Sequence, residues 1–333
     1  MVLNYYNMQG FWKTIRKPIV GLAPMDGITD VATRHVFTEV GGPDVIFTEQ
    51  VSVEAIAQAF NEIKDRVQYS EAERPIVAQL SGYDPAYYYQ ATKKVMALGF
   101  DGIDINLGCP VKAFNKKNGR RGAGLIGEYE TVEKIVWEIK KAINESGTNL
   151  PLSVKTRTGV KEHNTKKWIG FLASLPVDAI TLHGRTFKQG YSGKASWEEI
   201  AIGAKIARQN GKIFLGNGDV GGREEAEKLC KKYGTDGALI GRAARGNPWA
   251  FSKTNHTTTV RIVVDEKKRI NTLLEHAKYF EKVRGKRPFV EFRKHIGWYL
   301  KGFAGAKTLR SKLIMVSNLQ ELELELNSPG HRR

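Results

Sequence analysis

Short apolar runs rich in β-branched residues recur about every 25 to 35 residues, each followed by a segment whose apolar positions repeat at helical spacing. Eight such runs stand out: IVGLAPM (19–25), VIFTEQV (45–51), IVAQLSG (76–82), GIDINLGCP (102–110), LSVKTRTG (152–159), AITLHGRT (179–186), KIFLGNGDV (212–220) and GALIGRAA (237–244). Eight rounds of strand and helix predict an α/β fold of the (β/α)8 TIM barrel type, with a doubly wound open sheet as the competing architecture. Polarity within the runs favours the barrel. Each run begins apolar and most end polar or in glycine, and Gln79, Asn106, Lys155, Arg157, His183, Asn217 and Asp219 all fall toward those ends. A barrel spreads its ligand groups around the carboxyl ends of several strands, whereas an open sheet gathers them at one switch point.

From about residue 253 the pattern changes. SKTNHTTT reads as a linker, and the remainder is helical and highly charged, which divides the chain into a barrel (1–252) and a small all-helical domain (253–333). Within the helical part, Arg293, Lys294, His295, Trp298, Tyr299, Lys301, Lys307, Arg310 and Lys312 interleave cations with aromatics, a mixture suited to phosphates and unstacked bases. An amphipathic helix with a solvated basic face is the plainer explanation of the same strip.

Composition sharpens the choice of partner. With 333 residues and 41% hydrophobic content the chain can bury a large core. Its 52 Lys and Arg against 35 Asp and Glu leave a net charge of +17, which favours a polyanion such as nucleic acid. Two cysteines build no disulfide framework, and no apolar run approaches the length of a membrane span, so the expected setting is soluble and cytoplasmic. No obligate protein partner is implied, and a monomer is expected.

Three constellations could carry chemistry. LGNGDVGG and LIGRAARGNPW put glycines and backbone amides at the seventh and eighth strand ends, where a phosphate is commonly held, and Arg242 adds a fork of donors. Gln79, Lys155 and His183 would face the same mouth, a set that suits the electron-rich edge of a flavin. No GxGxxG follows the first strand, so a nicotinamide would bind only transiently. Asn106 and Cys109 share the end of the fourth strand, with Pro110 stiffening the chain behind them. Most cysteines in such places are packing groups. Here the basic, glycine-rich KKNGRRGAG that follows argues for an open rim, where a thiol, with an ordinary pKa near ~8.5, can give up a proton as an acid. Without a second nearby cysteine or clustered histidines, a metal site is rejected.

Taken together these residues resemble the tRNA-dihydrouridine synthases. The resemblance covers nearly the whole chain and rests on APMDGITD (23–30), AQLSG (78–82), INLGCPVK (105–112), VKTRTG (154–159), LHGRT (182–186), GNGDV (216–220), IGRAARGNPW (240–249) and RKHIGWYLKG (293–302). It implies a barrel holding tightly bound FMN, NADPH as a transient reductant, and reduction of the 5,6 double bond of a uridine in tRNA. Hydride would pass from the flavin to C6 and a proton from Cys109 to C5. It further implies FMN contacts at Pro24, Met25, Asp26, Gln79, Lys155 and His183, and phosphate contacts at Asn217, Gly218, Asp219, Gly241 and Arg242. Asn106 and Arg157 would hold the uracil, while the helical domain, through residues such as Lys294, Trp298 and Lys301, would grip the RNA around one extruded nucleotide. Phe187 departs from the family, which often has an arginine after HGRT. Two alternatives remain at this level: a flavin barrel reducing a free pyrimidine or small enone, and a tRNA-binding module without catalysis.

Overall fold

The computed structural model describes residues 10–110, 114–115, 119–253, 264–283 and 288–327. Each apolar run forms a parallel strand: β1 (Ile19–Leu22), β2 (Ile46–Phe47), β3 (Ile76–Ser81), β4 (Gly102–Leu107), β5 (Leu152–Arg157), β6 (Ala179–His183), β7 (Ile213–Asn217) and β8 (Gly237–Ile240). Neighbours in sequence are neighbours in the sheet, and β8 returns to β1, with Ile19 opposite Gly237 and Leu22 opposite Ile240. Closure leaves no unpaired edge and excludes the open sheet.

Helices α1 (Val31–Val40), α2 (Val53–Gln58), α3 (Pro85–Ala97), α4 (Tyr129–Glu145), α5 (Thr165–Ser174), α6 (Trp197–Gln209) and α7 (Arg223–Tyr233) follow the first seven strands. Their apolar faces and the outward residues of the strands make one continuous core layer. The alternation is visible in β5, where Thr156 turns outward to accept a 2.8 Å hydrogen bond from Trp168 Nε1 of α5. Lys155 and Arg157 therefore face the barrel interior. At the opposite end, Trp12 packs among Ile19, Ala179 and Ile213, the first residues of three strands, and plugs the amino-terminal face.

Several strands stop earlier than their apolar runs. GIDINLGCP leaves the ladder after Leu107 because the Gly108 and Cys109 amides turn to Asn106 Oδ1, at 3.0 and 2.9 Å. A local side-chain acceptor thus competes with the next rung. VIFTEQV is interrupted: Ile46–Phe47 form β2, Val51–Ser52 pair again with Leu80 and Ser81 of β3, and Thr48, Glu49 and Gln50 between them form a rim segment. The expected linker falls largely on 254–263, and much of the basic loop after Cys109 on 111–113 and 116–118, outside the described residues.

Beyond the barrel lie α8 (Glu266–Val283), α9 (Arg293–Tyr299), α10 (Ala306–Leu313) and α11 (Leu319–Asn327). They surround an apolar cluster of their own, but Ala32 and Trp249 of the barrel belong to that cluster too. His276 of α8 sits at the junction, fully buried. Its Nε2 lies 3.3 Å from Thr33 Oγ1 of α1 and its Nδ1 3.3 Å from Tyr299 OH of α9. The rim is anchored beside it by a fully buried ion pair, Arg34 Nε to Glu73 Oε2 at 2.6 Å. Arg34 also donates to Thr29 O, fixing the loop after β1. Removing one partner of such a pair costs about 3–5 kcal/mol.

Candidate active site

The carboxyl ends of the strands open into a cavity of about 670 Å³. It is lined by Pro24, Met25 and Asp26 after β1, Gln79 from β3, Asn106 and Cys109 at the end of β4, and Lys155 and Arg157 from β5. His183 from β6, Asn217, Gly218 and Asp219 at β7, and Gly241 and Arg242 after β8 complete it. Every barrel residue singled out in the sequence therefore borders one space. A closed sheet of short parallel strands brings them together, because inward positions near the strand ends point to a common mouth.

On one wall a chain of amides fixes the thiol. Gln79 lies two residues short of the end of β3 and donates from Nε2 to Asp104 Oδ2 at 2.8 Å. Its Oε1 accepts from Asn106 Nδ2 at 2.9 Å, and the same Asn106 nitrogen donates to Gln50 Oε1 at 3.0 Å. Gln50 Nε2 in turn donates to Cys109 Sγ at 3.5 Å. Behind the cysteine, Gly122 adopts a left-handed conformation (φ +55°) and approaches so closely that a Cβ there would lie 2.6 Å from Cys109 O. Only glycine fits that contact without displacing the thiol's backbone.

Charge at the floor is set by burial. Asp104, fully buried and also bonded by Ser153 Oγ at 2.6 Å, is pushed up to about 6 by desolvation. Lys155 borders the cavity, yet protein so surrounds its ammonium that burial, aided by Arg157, lowers it to about 8. The ammonium makes no hydrogen bond to any described residue, which leaves its donors for whatever enters. His183 is driven well below its ordinary range, first by burial and then by Lys155, Arg157, Arg185 and Arg242, so it is neutral at neutral pH.

Three residues are used differently from their sequence-level expectation. Arg157 donates from Nε to Gly108 O at 2.8 Å and from Nη1 to Thr186 O and Gly190 O at 3.1 Å, so most of its fork holds the rim loops together. Asn217 spends Nδ2 on Leu239 O at 2.8 Å, tying β7 to β8. Asp219, at φ +54°, places its carboxylate between Arg185 Nη2 (2.6 Å) and Arg242 Nη2 (2.7 Å). Burial opposes that charge, but the Ala195 amide and the two guanidinium groups hold the carboxyl below its ordinary range. Asn217 and Asp219 thus offer an anion their backbone rather than their side chains.

The basic strip of the helical part also needs correction. His295 and Tyr299 are buried, and Arg293 is pinned to Val316 O and Met315 O at 2.8 Å. The helix has turned His295 and Tyr299 into its core, since every third or fourth residue must face the partner helices, while the half-buried Arg293 is spent on backbone carbonyls. Lys294, Trp298 and Lys301 lie outside that core and outside the cavity wall. Lys294 reaches the rim, where a Cβ on Gly27 would stand 3.7 Å from its Nζ. Trp298 lies under Arg245, whose guanidinium carbon is 5.2 Å from the ring centre.

Sequence reasoning missed Gln50, Asp104, Arg185 and Tyr191. Gln50 is the polar end of VIFTEQV, and its alignment with Cys109 exists only because β3 lies between β2 and β4. Arg185, nearly fully buried, donates to Gly193 O at 2.7 Å and so holds the loop carrying Tyr191 against Arg242, whose guanidinium carbon is 4.7 Å from that ring. Among the described residues no helix is long and apolar enough to cross a membrane.

Comparison with known proteins converges on one family. A profile described as Dihydrouridine synthase (Dus) matches residues 21–329, barrel and helical segment alike. The chain belongs to the dihydrouridine synthase family. It is 32% identical over 322 residues to a probable tRNA-dihydrouridine synthase of Staphylococcus aureus (strain MRSA252), covering 94% of this chain and 93% of that one. A probable tRNA-dihydrouridine synthase 2 of Bacillus subtilis (strain 168) is 31% identical over 324 residues, covering 96% of each. Two solved structures share the fold at low identity. A histamine dehydrogenase from Rhizobium sp. 4-9 superposes with a TM-score of 0.51 at 16% identity, over 70% of this chain and 44% of that one. A 2-naphthoyl-CoA reductase gives 0.53 at 10%, over 75% and 52%. Family membership makes this chain an oxidoreductase.

Proposed function

We propose that this protein is an FMN-dependent tRNA-dihydrouridine synthase, reducing a uridine of tRNA to 5,6-dihydrouridine with NADPH as the electron source. Relatives matching almost end to end carry that name, and the residues present suit the cofactor. The cavity has room for an isoalloxazine ring. Lys155 supplies a buried cation with free donors, and the left-handed Gly218 (φ +121°) keeps bare backbone where a Cβ would lie 2.6 Å from Ala195 and 2.9 Å from His183. Gln79, Lys155 and His183, with Pro24, Met25 and Asp26, would hold the ring. The backbone at Asn217, Gly218, Asp219 and Gly241, together with the Arg242 side chain, would hold the phosphate. Bound flavin, once reduced by NADPH, supplies the hydride that adds to C6 of the base.

The chain's own groups do the rest. Asn106 spends both Nδ2 donors on Gln50 and Gln79, so it would meet the pyrimidine edge by exchanging one of those partners for the base, and Arg157 borders the same space while bracing the loops around it. Cys109 delivers the proton to C5, and Lys155 and Arg157 border the same cavity. His183 stays neutral and donates or accepts without adding charge. Lys294, Trp298 and Lys301 bind RNA outside the mouth. The observation that carries this reading is the convergence of Gln50, Asn106 and Cys109 into one bonded set in the cavity that Lys155 also lines.

The test is to incubate purified protein with NADPH and a tRNA transcript, then map dihydrouridine by mass spectrometry, with free uracil as comparator. A yellow protein that converts one tRNA position is expected. Turnover of free uracil alone, or a colourless protein that binds tRNA without changing it, would overturn the reading.

A further inference from the structure

At the seam between barrel and helical segment three cations meet, and among the described residues none of them is paired with an acid. Arg245 lies in the turn after β8 and borders the cavity, Arg269 is on the first turns of α8, and Lys301 follows α9. The Arg245 guanidinium lies over Trp298 and that of Arg269 over Trp249, at 5.2 and 5.5 Å. The elements are locked together, since a Cβ on Gly246 would lie 2.4 Å from the Trp298 backbone. Among the described residues none of the three cations forms a salt bridge. Arg245 Nε, Arg269 Nη1 and Trp249 Nε1 are buried without a hydrogen-bond partner. Partial burial and the nearness of Arg269 and Arg245 depress the Lys301 ammonium, as cations gathered without a counter-ion should.

Buried donors left unmade are unfavourable, and fixed cations crowded together more so, unless an anion completes them. We propose that this seam is a phosphodiester site, in which Arg245, Arg269 and Lys301 grip one backbone phosphate of the RNA whose uridine enters the cavity. The inference rests on the reading of tRNA as substrate. A flipped nucleotide brings its flanking phosphates to the rim, and Arg245 belongs to both the rim and the seam. Net charge of +17 suits a polyanion spanning both.

Fluorescence anisotropy with full-length holoprotein and a tRNA transcript, over a series of salt concentrations, tests this with Arg269→Gln and Lys301→Gln. Each should weaken tRNA binding about tenfold, alike for different tRNAs, and reduce the salt slope by about 1. Flavin content and the NADPH concentration that half-bleaches the flavin should not change. If Arg269→Gln fails to fold, the exposed Lys301→Gln carries the test alone. Unchanged tRNA affinity and slope in a folded variant overturn the site. A raised NADPH requirement with unchanged tRNA binding also overturns it, assigning the seam to the dinucleotide. Wild-type protein that binds tRNA but forms no dihydrouridine overturns the proposed function, and loss of that binding in the variants still upholds the phosphate site.

Discussion

The Cys109 sulfur accepts a hydrogen bond from Gln50 Nε2 at 3.5 Å, while Gln50 Oε1 accepts one from Asn106 Nδ2 at 3.0 Å. One glutamine from the rim after β2 thus connects the proposed uracil contact, on β4, with the proposed proton donor in the turn that follows it. Gln50→Leu keeps similar volume and removes both bonds. We expect kcat for dihydrouridine formation to fall about tenfold, in line with the sensitivity of catalysis to a misplaced group. Flavin content should stay at the wild-type level and the rate of Cys109 alkylation by iodoacetamide should change. An unaltered kcat and alkylation rate would show that the glutamine only fills space.

Cys109→Ala removes the acid but none of the groups assigned to flavin or RNA. Dihydrouridine formation should drop by about 10²- to 10⁴-fold, the usual worth of a positioned acid. The flavin spectrum and tRNA affinity should be preserved. Full activity in this variant would remove Cys109 from the mechanism.

The proposed contact of Lys155 with the flavin should make flavin binding dependent on pH. Burial lowers its ammonium to about 8, so in flavin-free protein the charge is present below that pH and lost above it. FMN affinity, followed by fluorescence quenching, should weaken as pH rises through 8. Lys155→Met should bind FMN more weakly at neutral pH and show no such inflection. An identical pH curve in the variant would assign the inflection to another group.

Lys294 stands at the rim beside Gly27, outside the packed face of α9. Lys294→Glu should weaken tRNA binding and flatten its salt dependence, while NADPH still reduces the flavin at the wild-type rate. A wild-type salt slope would place the RNA on another surface.

His276 joins the helical segment to α1, and burial lowers it from 6.5 to about 4. The unfolded chain binds the proton first, so stability is complete above about pH 6.5 and declines as pH falls toward 4, by roughly 3 kcal/mol in all. Denaturation midpoints should carry this contribution beside those of the buried His183 and Asp104, and His276→Gln should differ from wild type by a gap that closes as pH falls from 6.5 to 4.

Much of the molecule was legible as sequence. Hydrophobic period and the polar ends of eight runs specify the barrel and the face that carries chemistry, because a strand buried on both sides must be apolar until it reaches the mouth. That reasoning alone placed Gln79, Asn106, Cys109, Lys155 and His183 on one rim. Sequence could not say how their polar atoms are spent, since hydrogen bonds form between strands that are distant in the chain. The tertiary structure decided that Arg157 and Asn217 brace the rim, that the Asp219 carboxylate is held between two arginines, and that Gln50 reaches the thiol across β3. It also decided which residues of RKHIGWYLKG are core. A helix exposes or buries a polar group according to what packs against it, and here the partner helices draw His295 and Tyr299 inward, the turn after α10 ties down Arg293, and Lys294, Trp298 and Lys301 stay outside that core.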